Sequence, residues 1–221
     1  EETVLAYPLG TWLVRDVLLP AREGTPGWEN LAPDYRQRID MIRDITPGNL
    51  GIDTSQLCEL LAAVPPCTTL AQMQALAAAT GVGLQYAAMH ERDIGNKFPR
   101  ITADYPVHLR RRFTFGLAEQ DRVAAMLEFL AAGDVATAFE LVRISHAGDY
   151  DTEVTEQELH ALAQRPAGDP RTRLAFVPGG YGRMTDAYDR VVTTLNRFLL
   201  SHGADAGAVQ RLGAGWGGNV G

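Results

Sequence analysis

An α+β fold dominated by helices is what this sequence predicts, and three observations predict it. Apolar residues recur at helical spacing through most of the chain after residue 34. Runs of β-type composition are few and short, at 3–7, 11–14, 174–177 and 209–212. The chain closes on Val-Gln-Arg-Leu-Gly-Ala-Gly-Trp-Gly-Gly-Asn-Val-Gly, a strand-like lead into a glycine cluster.

Residues 1–33 are the least regular. Thr3 to Tyr7 and Thr11 to Val14 read as strands around Pro8 and Gly10, and Pro20, Gly24, Pro26, Gly27 and Pro33 make 20–33 a loop. Tyr35, Ile39 and Ile42 fall at i, i+4 and i+7, predicting a helix over 34–45 that Thr46-Pro47-Gly48 stops. Asp53 caps a helix over 54–64 with Leu57, Leu60, Leu61 and Val64 on one face, ended by Pro65-Pro66. Leu70, Met73 and Leu76 align a third helix, stopped at Gly81. Residues 84–93 read as helical and 96–105 as loop.

Pro106 suits the first position of a long helix, since its missing N–H costs nothing there. Leu109, Phe113, Leu117, Val123, Met126, Leu127 and Leu130 mark the apolar side of that helix to Ala132, with Gly116 inside it predicting close packing or a bend. Gly133 closes it and Asp134 caps the next, over 135–145. Thr155 and Glu158 form a capping box for a helix through Gln164. A final helix follows Thr185 and Asp186 to Gly203, its apolar face made by Tyr188, Val191, Val192, Leu195, Phe198 and Leu199.

Composition narrows the function. At 221 residues the chain is long enough for a substantial core, and 46% hydrophobic with 21% charged residues is ordinary globular composition. A net charge of −7 argues against a nucleic-acid partner, with Arg110, Arg111 and Arg112 the one local exception. No apolar run has the length of a membrane span and no signal peptide is evident, so a cytoplasmic protein with no membrane partner is expected. Cys58 and Cys67 lack the paired spacing of a zinc site; a bridge between them is open, but reduced thiols fit a cytoplasmic chain better. The start at Glu1 rather than Met suggests a processed or partial chain.

Four groups of residues invite a chemical reading. His90, Glu91 and Asp93 are metal-capable, but neighbours on a helix do not converge, so a solvated face is expected and no metal site is assigned. Ser145, His146, Asp149 and Asp151 form a polar cluster at a helix end; it reads equally as a cleft-facing site or as a dipole-favoured His followed by a turn. Gly179-Gly180-Tyr181-Gly182, with Arg183 beside it, precedes a helix and is either an anion site or a plain loop-to-helix entry. The last group is Gly213, Ala214, Gly215, Trp216, Gly217 and Gly218. Glycines let successive N–H groups converge into an anion-binding nest. A loose tail is the alternative, but a large indole is out of place in a linker.

The run 213–218 resembles the third, C-terminal motif of the galactokinase branch of the GHMP small-molecule kinases, roughly (Lys/Arg)-(Leu/Met)-Thr-Gly-(Ala/Gly)-Gly-(Phe/Trp)-Gly-Gly-Cys. Leu212 stands where that family has Thr and Asn219 where it has Cys. Upstream, Glu119-Gln120-Asp121-Arg122-Val123 is similar to the family's Glu-x-x-Arg-Val helix. Leu130 to Asp134, Phe139 and Ile144-Ser145-His146 resemble its next stretch, and 150–159 its Tyr-Glu-Val-Ser-x-x-Glu-Leu segment. The likeness covers about 106–165 and 209–219; it divides the chain into an N-terminal portion, 1–105, and a GHMP-like portion, 106–221, of one compact lobe. The glycine loop and helix over 179–203 then look like an insertion that marks a divergent subfamily.

The resemblance implies a GHMP-kinase C-terminal-domain-like fold, with a small antiparallel sheet packed against helices. It implies an ATP-dependent sugar kinase in which an N-terminal lobe, in cis or in trans, supplies the phosphate loop, a catalytic Asp and the ATP and Mg²⁺ sites. No Pro-x-x-x-Gly-Leu-Ser-Ser-Ser-type loop occurs in this sequence, so the chain alone is expected to be inactive. Its part would be to line the phosphate and sugar cleft with 213–218, with Ser145, His146, Asp149 and Arg183 cleft-facing. The chain is expected to stop before the strand that follows the motif in the family. The competing expectation is a non-catalytic helical interaction module or a pseudokinase subunit.

Overall fold

A computed structural model describes residues 2–220 apart from Asn96, Asp151, Ala167, 183–184 and 213–218. Helices dominate, and the described strands form two antiparallel pairs, an α+β arrangement.

The first departure from expectation comes at once. Residues expected as strands form helix α1, Glu2–Leu13, which runs on into a π turn, Val14–Leu18. Leu5, Ala6, Leu9, Trp12, Leu13 and Val14 are all buried, so more than one face of α1 is enclosed, and tertiary burial overrides β propensity. Pro8, inside this helix, forgoes only its own bond to the exposed Val4.

The helix expected over 34–45 is cut short. Helix α2 is one turn, Tyr35–Arg38; the chain then extends at Ile39 and turns again at Ile42–Asp44. The Asp44 carboxylate takes the backbone N–H groups of Asp40 and Met41, at 2.9 and 2.8 Å, an acceptor that competes with the helical ladder. Thr46 does not stop a helix but starts one, its hydroxyl accepting from Asn49 N at the head of α3, Pro47–Leu50.

The well-capped helices fall where expected. Asp53 and Gln56 box the start of α4, Thr54–Ala63, and Thr69 and Gln72 that of α5, Leu70–Ala79. Helix α6, Gly83–His90, ends in a second π turn, Glu91–Gly95. Between α4 and α5 strand β1, Thr68–Thr69, pairs antiparallel with β2, Pro106–Val107. Pro106 is thus a strand residue, a place where its missing N–H is tolerated at an edge. Helix α7, Leu109–Ala131, begins only after His108, whose N–H is taken by Glu2 Oε1 at 2.7 Å.

Helix α7 is the post around which the rest is built. Leu109, Phe113, Leu117 and Ala118 are buried, and so are Arg110, Arg111 and Arg112. Three consecutive helical residues point in three directions, so the first turns of α7 are enclosed all round. The basic run is therefore interior. Arg110 binds the Val64 and Ala62 carbonyls and Glu156, Arg111 binds Glu153, and Arg112 binds the Gly180 carbonyl and Glu2. Gly116 gives the predicted close approach: a Cβ there would sit 2.7 Å from Ile42 Cδ1. Further along, Val123, Leu127 and Leu130 are exposed, so the apolar stripe expected along the whole helix is buried only in its first half.

Helix α8, Val135–Gly148, folds back on α7, and α9, Glu156–Ala163, packs on α4 behind its Thr155–Glu158 box. The strand expected at 174–177 is a 3-10 turn, Leu174–Phe176, because Ala175 N donates to Asp121 Oδ2 at 2.9 Å and Val177 N to Leu174 O. Helix α10, Asp186–His202, has the predicted apolar face, yet Val191, Leu195 and Phe198 on it are exposed and only Val192 and Asn196 are buried. One apolar cluster, from Leu5 to Leu174, draws on both sides of residue 105.

Candidate functional site

Backbone pairing defines the C-terminal end. Strand β3, Arg211–Leu212, pairs antiparallel with β4, Asn219–Val220, with Arg211 opposite Val220 and Leu212 opposite Asn219. The strand lead expected over 209–212 is present as β3, and a two-residue strand, β4, follows the motif. The flanks of the glycine run are thus side by side; Gly213, Ala214, Gly215, Trp216, Gly217 and Gly218 themselves lie outside the described residues.

The segment entering β3 is tied to α10 by one side chain. Asn196 Nδ2 donates to Val209 O and Val209 N donates to Asn196 Oδ1, both at 2.8 Å, so a buried amide supplies the bond pattern of a neighbouring strand. Arg143 of α8 adds a second tie, its Nη1 donating to Gly207 O at 3.1 Å. Sequence reasoning missed both residues. Asn196 stands inside the α10 apolar stripe at a helical spacing from Val192, which is the one trace it leaves in the sequence.

The polar cluster at the end of α8 comes together with residues of α7 and α10. Ser145 Oγ donates to Glu119 Oε2 at 3.1 Å, and Glu119 Oε1 lies 3.2 Å from Arg122 Nη2. His146 is buried in the last turn of α8, with Nε2 3.4 Å from Asp189 Oδ1 and its ring edge-on to Tyr150. Asp149, also buried, closes the helix through its N–H to His146 O and adds its charge to the field on Arg122. Burial pushes the Arg122 guanidinium below its ordinary range, against the attraction of Glu119, Asp121 and Asp149. The arrangement brings three helices together and sets the first turn of α10 beside the end of α8. Asp151 and Arg183 are outside the described residues.

The second glycine run has its backbone committed elsewhere. Gly180 N donates to Arg111 O at 3.1 Å and Tyr181 N to Gly148 O at 2.7 Å. Gly179 has φ +68°, a left-handed conformation, and a Cβ on it would lie 2.5 Å from Phe115 Cα. These glycines let the loop press onto α7, and the N–H groups of Gly180 and Tyr181 are not offered to an anion.

Among the described residues no three His, Cys, Asp or Glu side chains are placed to hold a metal, and no helix is long and apolar enough to cross a membrane. Cys58 is buried and Cys67 exposed, both free thiols. No family model, no curated protein and no solved structure matches this chain.

Proposed function

We propose that this chain is the C-terminal lobe of a cytoplasmic, galactokinase-like sugar kinase with a GHMP-type C-terminal domain. It acts with an N-terminal phosphate-loop lobe, in cis or in trans, to move the γ-phosphoryl of ATP to a sugar hydroxyl. The observation that carries the reading is the Gly-Ala-Gly-Trp-Gly-Gly run set between two strands that pair. Pairing of its flanks restricts where the run can go, and the Asn196 amide fixes the approach. Phosphoryl transfer depends on positioned N–H groups and cations more than on covalent chemistry by the protein. A glycine run held at both ends suits that task. In this reading Mg²⁺ and the nucleotide phosphates are held by the N-terminal lobe, as the family resemblance implies. Ser145, His146, Asp149 and Arg183 belong, in this reading, to the end of the lobe nearest the cleft.

The test is the whole reading frame. It should encode a Ser-rich phosphate loop ahead of Glu1, and the full protein should turn over ATP with a hexose panel while the 221-residue chain does not. Robust turnover by this chain alone overturns the proposal, and so does a reading frame without that loop when no separate phosphate-loop chain restores turnover.

A second reading, a non-catalytic helical interaction module, draws on the exposed Val123, Leu127, Val191 and Phe198 of α7 and α10. It predicts a reading frame without the loop and a chain that captures a protein partner without nucleotide.

A further inference from the structure

Helix α10 and the segment that returns beside it, residues 186–212, are built against each other. The chain leaves α10 at Gly203, and Gly203 and Gly207 take φ of +138° and +144°, values that favour glycine. The backbone thereby doubles back. A Cβ at Gly207 would lie 3.4 Å from Leu199 Cδ1, and the Asn196 amide exchanges two hydrogen bonds with the backbone of Val209. Helix and return segment make one piece.

That piece rests lightly on the body. Of the 17 residues of α10 only Val192 and Asn196 are buried, and the Asn196 amide is spent inside the piece. In α4, by contrast, Leu57, Cys58, Leu60, Leu61 and Ala62 are buried out of 10 residues. Neither apolar cluster draws a described residue from α10. The described side-chain ties to the body come from α8. Arg143 Nη1 donates to Gly207 O at 3.1 Å and Nη2 to Ala204 O at 3.5 Å, and His146 Nε2 lies 3.4 Å from Asp189 Oδ1. The loop ahead of α10 is fixed instead, with Gly180 N on Arg111 O and Tyr181 N on Gly148 O.

We infer that residues 186–212 undock from α8 as one cooperative unit while the rest of the chain stays folded, and that Arg143 is the latch. Regions with few buried apolar contacts open at low cost, well below global unfolding. Val191, Leu195 and Phe198 already meet water, so undocking exposes little further apolar surface. A lone helix of this length is marginal in water, so once undocked α10 frees its amides together with that of Val209. The unit ends in β3, so each undocking releases the strand that enters the glycine run. The inference stands on packing and does not rest on the kinase reading.

Hydrogen exchange of the 221-residue chain, read residue by residue by NMR, tests it first without any variant. The interior amides of α10 and the amide of Val209 should share one level of protection, well below that of α4 and the first half of α7. Arg143→Met keeps the side-chain length and helix propensity and removes the guanidinium donors; it should speed exchange about tenfold in α10 and at Val209 alike, with α4 and α7 unchanged. Arg197→Met, at an exposed position of α10 itself, should change neither. Protection of α10 equal to that of α4, or two separate levels for α10 and Val209, overturns the inference. So does an Arg143→Met effect confined to Val209, or one that spreads equally to α4 and α7.

Discussion

Asn196→Leu removes the tie between α10 and the strand that leads into the glycine run. Two neutral hydrogen bonds are lost, Asn196 Nδ2 to Val209 O and Val209 N to Asn196 Oδ1. At about 1 kcal/mol net for each, the loss is about 2 kcal/mol. Leucine is the better helix former by roughly 0.5 kcal/mol, which leaves about 1.5 kcal/mol. Val209 is only half-buried, so water reaches its freed groups once the segment opens and no large desolvation penalty is added. The effect falls on local opening of the C-terminal segment, because the main apolar cluster ends at Leu174. Hydrogen exchange followed by mass spectrometry should show amides of 204–212 exchanging roughly tenfold faster, as 1.5 kcal/mol dictates, with α4 and α7 unchanged. Unchanged exchange in 204–212, or an equal rise in α4, would refute the reasoning. On the proposed kinase reading, the same variant in the full-length protein should lower turnover without lowering the main melting temperature.

Three further outcomes follow from the packing and the charges. Gly10→Ala gains about 1 kcal/mol of helix propensity but drives a methyl into the ring of Phe113, which is fully buried; overpacking of about 1–3 kcal/mol or more wins, and urea denaturation should show net destabilisation, relieved in the double variant with Phe113→Leu. The Glu2 carboxyl titrates lower than usual: burial alone would raise it, but the His108 N–H, Arg112 and the His108 ring outweigh that. A depressed folded value means its stabilisation is fully present above the ordinary value of 4.5 and is lost as pH falls through the lower one, so Glu2→Gln should flatten the acid limb of the stability–pH profile. Cys58 is buried and its thiol is pushed up to about 12 by burial, whereas Cys67 is exposed, so a thiol reagent should modify one cysteine in the native chain and both only after unfolding.

What could be read from the sequence followed the range over which each signal acts. The Asp53 cap and the Thr155–Glu158 box act over three residues, so the starts of α4 and α9 are legible without any tertiary contact. The failures are tertiary. Thr3 to Val14 carries β-type residues and a proline, and it is helical because several sides of it are enclosed, α7 among its neighbours. Pro106 reads as a helix start until Thr69 stands opposite it. Periodicity located the apolar stripes of α7 and α10 but carries no information about what covers them, so exposed Val123 and Phe198 read like buried Phe113. At the candidate site the strand before the glycine run was legible, while Asn196 and Arg143 were not, because each acts on a backbone group 13 or 64 residues away.

The interior arginines bear on where the proposed working surface lies. A net-acidic chain has few cations to spare, and it places Arg110, Arg111 and Arg112 inside, on carbonyls of α4 and of the 179–182 loop and on Glu2, Glu153 and Glu156. A buried guanidinium is tolerated only when its donors are met, so these contacts hold the connecting loops tightly against α7. The loop at 179–182 is drawn into that scaffold, and the N–H groups of Gly180 and Tyr181 go with it. Arg122 is used in the same manner, donating to Val177 O at 3.0 Å and pairing with Glu119 at 3.2 Å. Of the two glycine runs, then, one is used to build the scaffold. The other is entered by a strand whose only described ties to the body are the Asn196 amide and the Arg143 guanidinium, and that contrast is the physical ground for placing the function at the C-terminal hairpin.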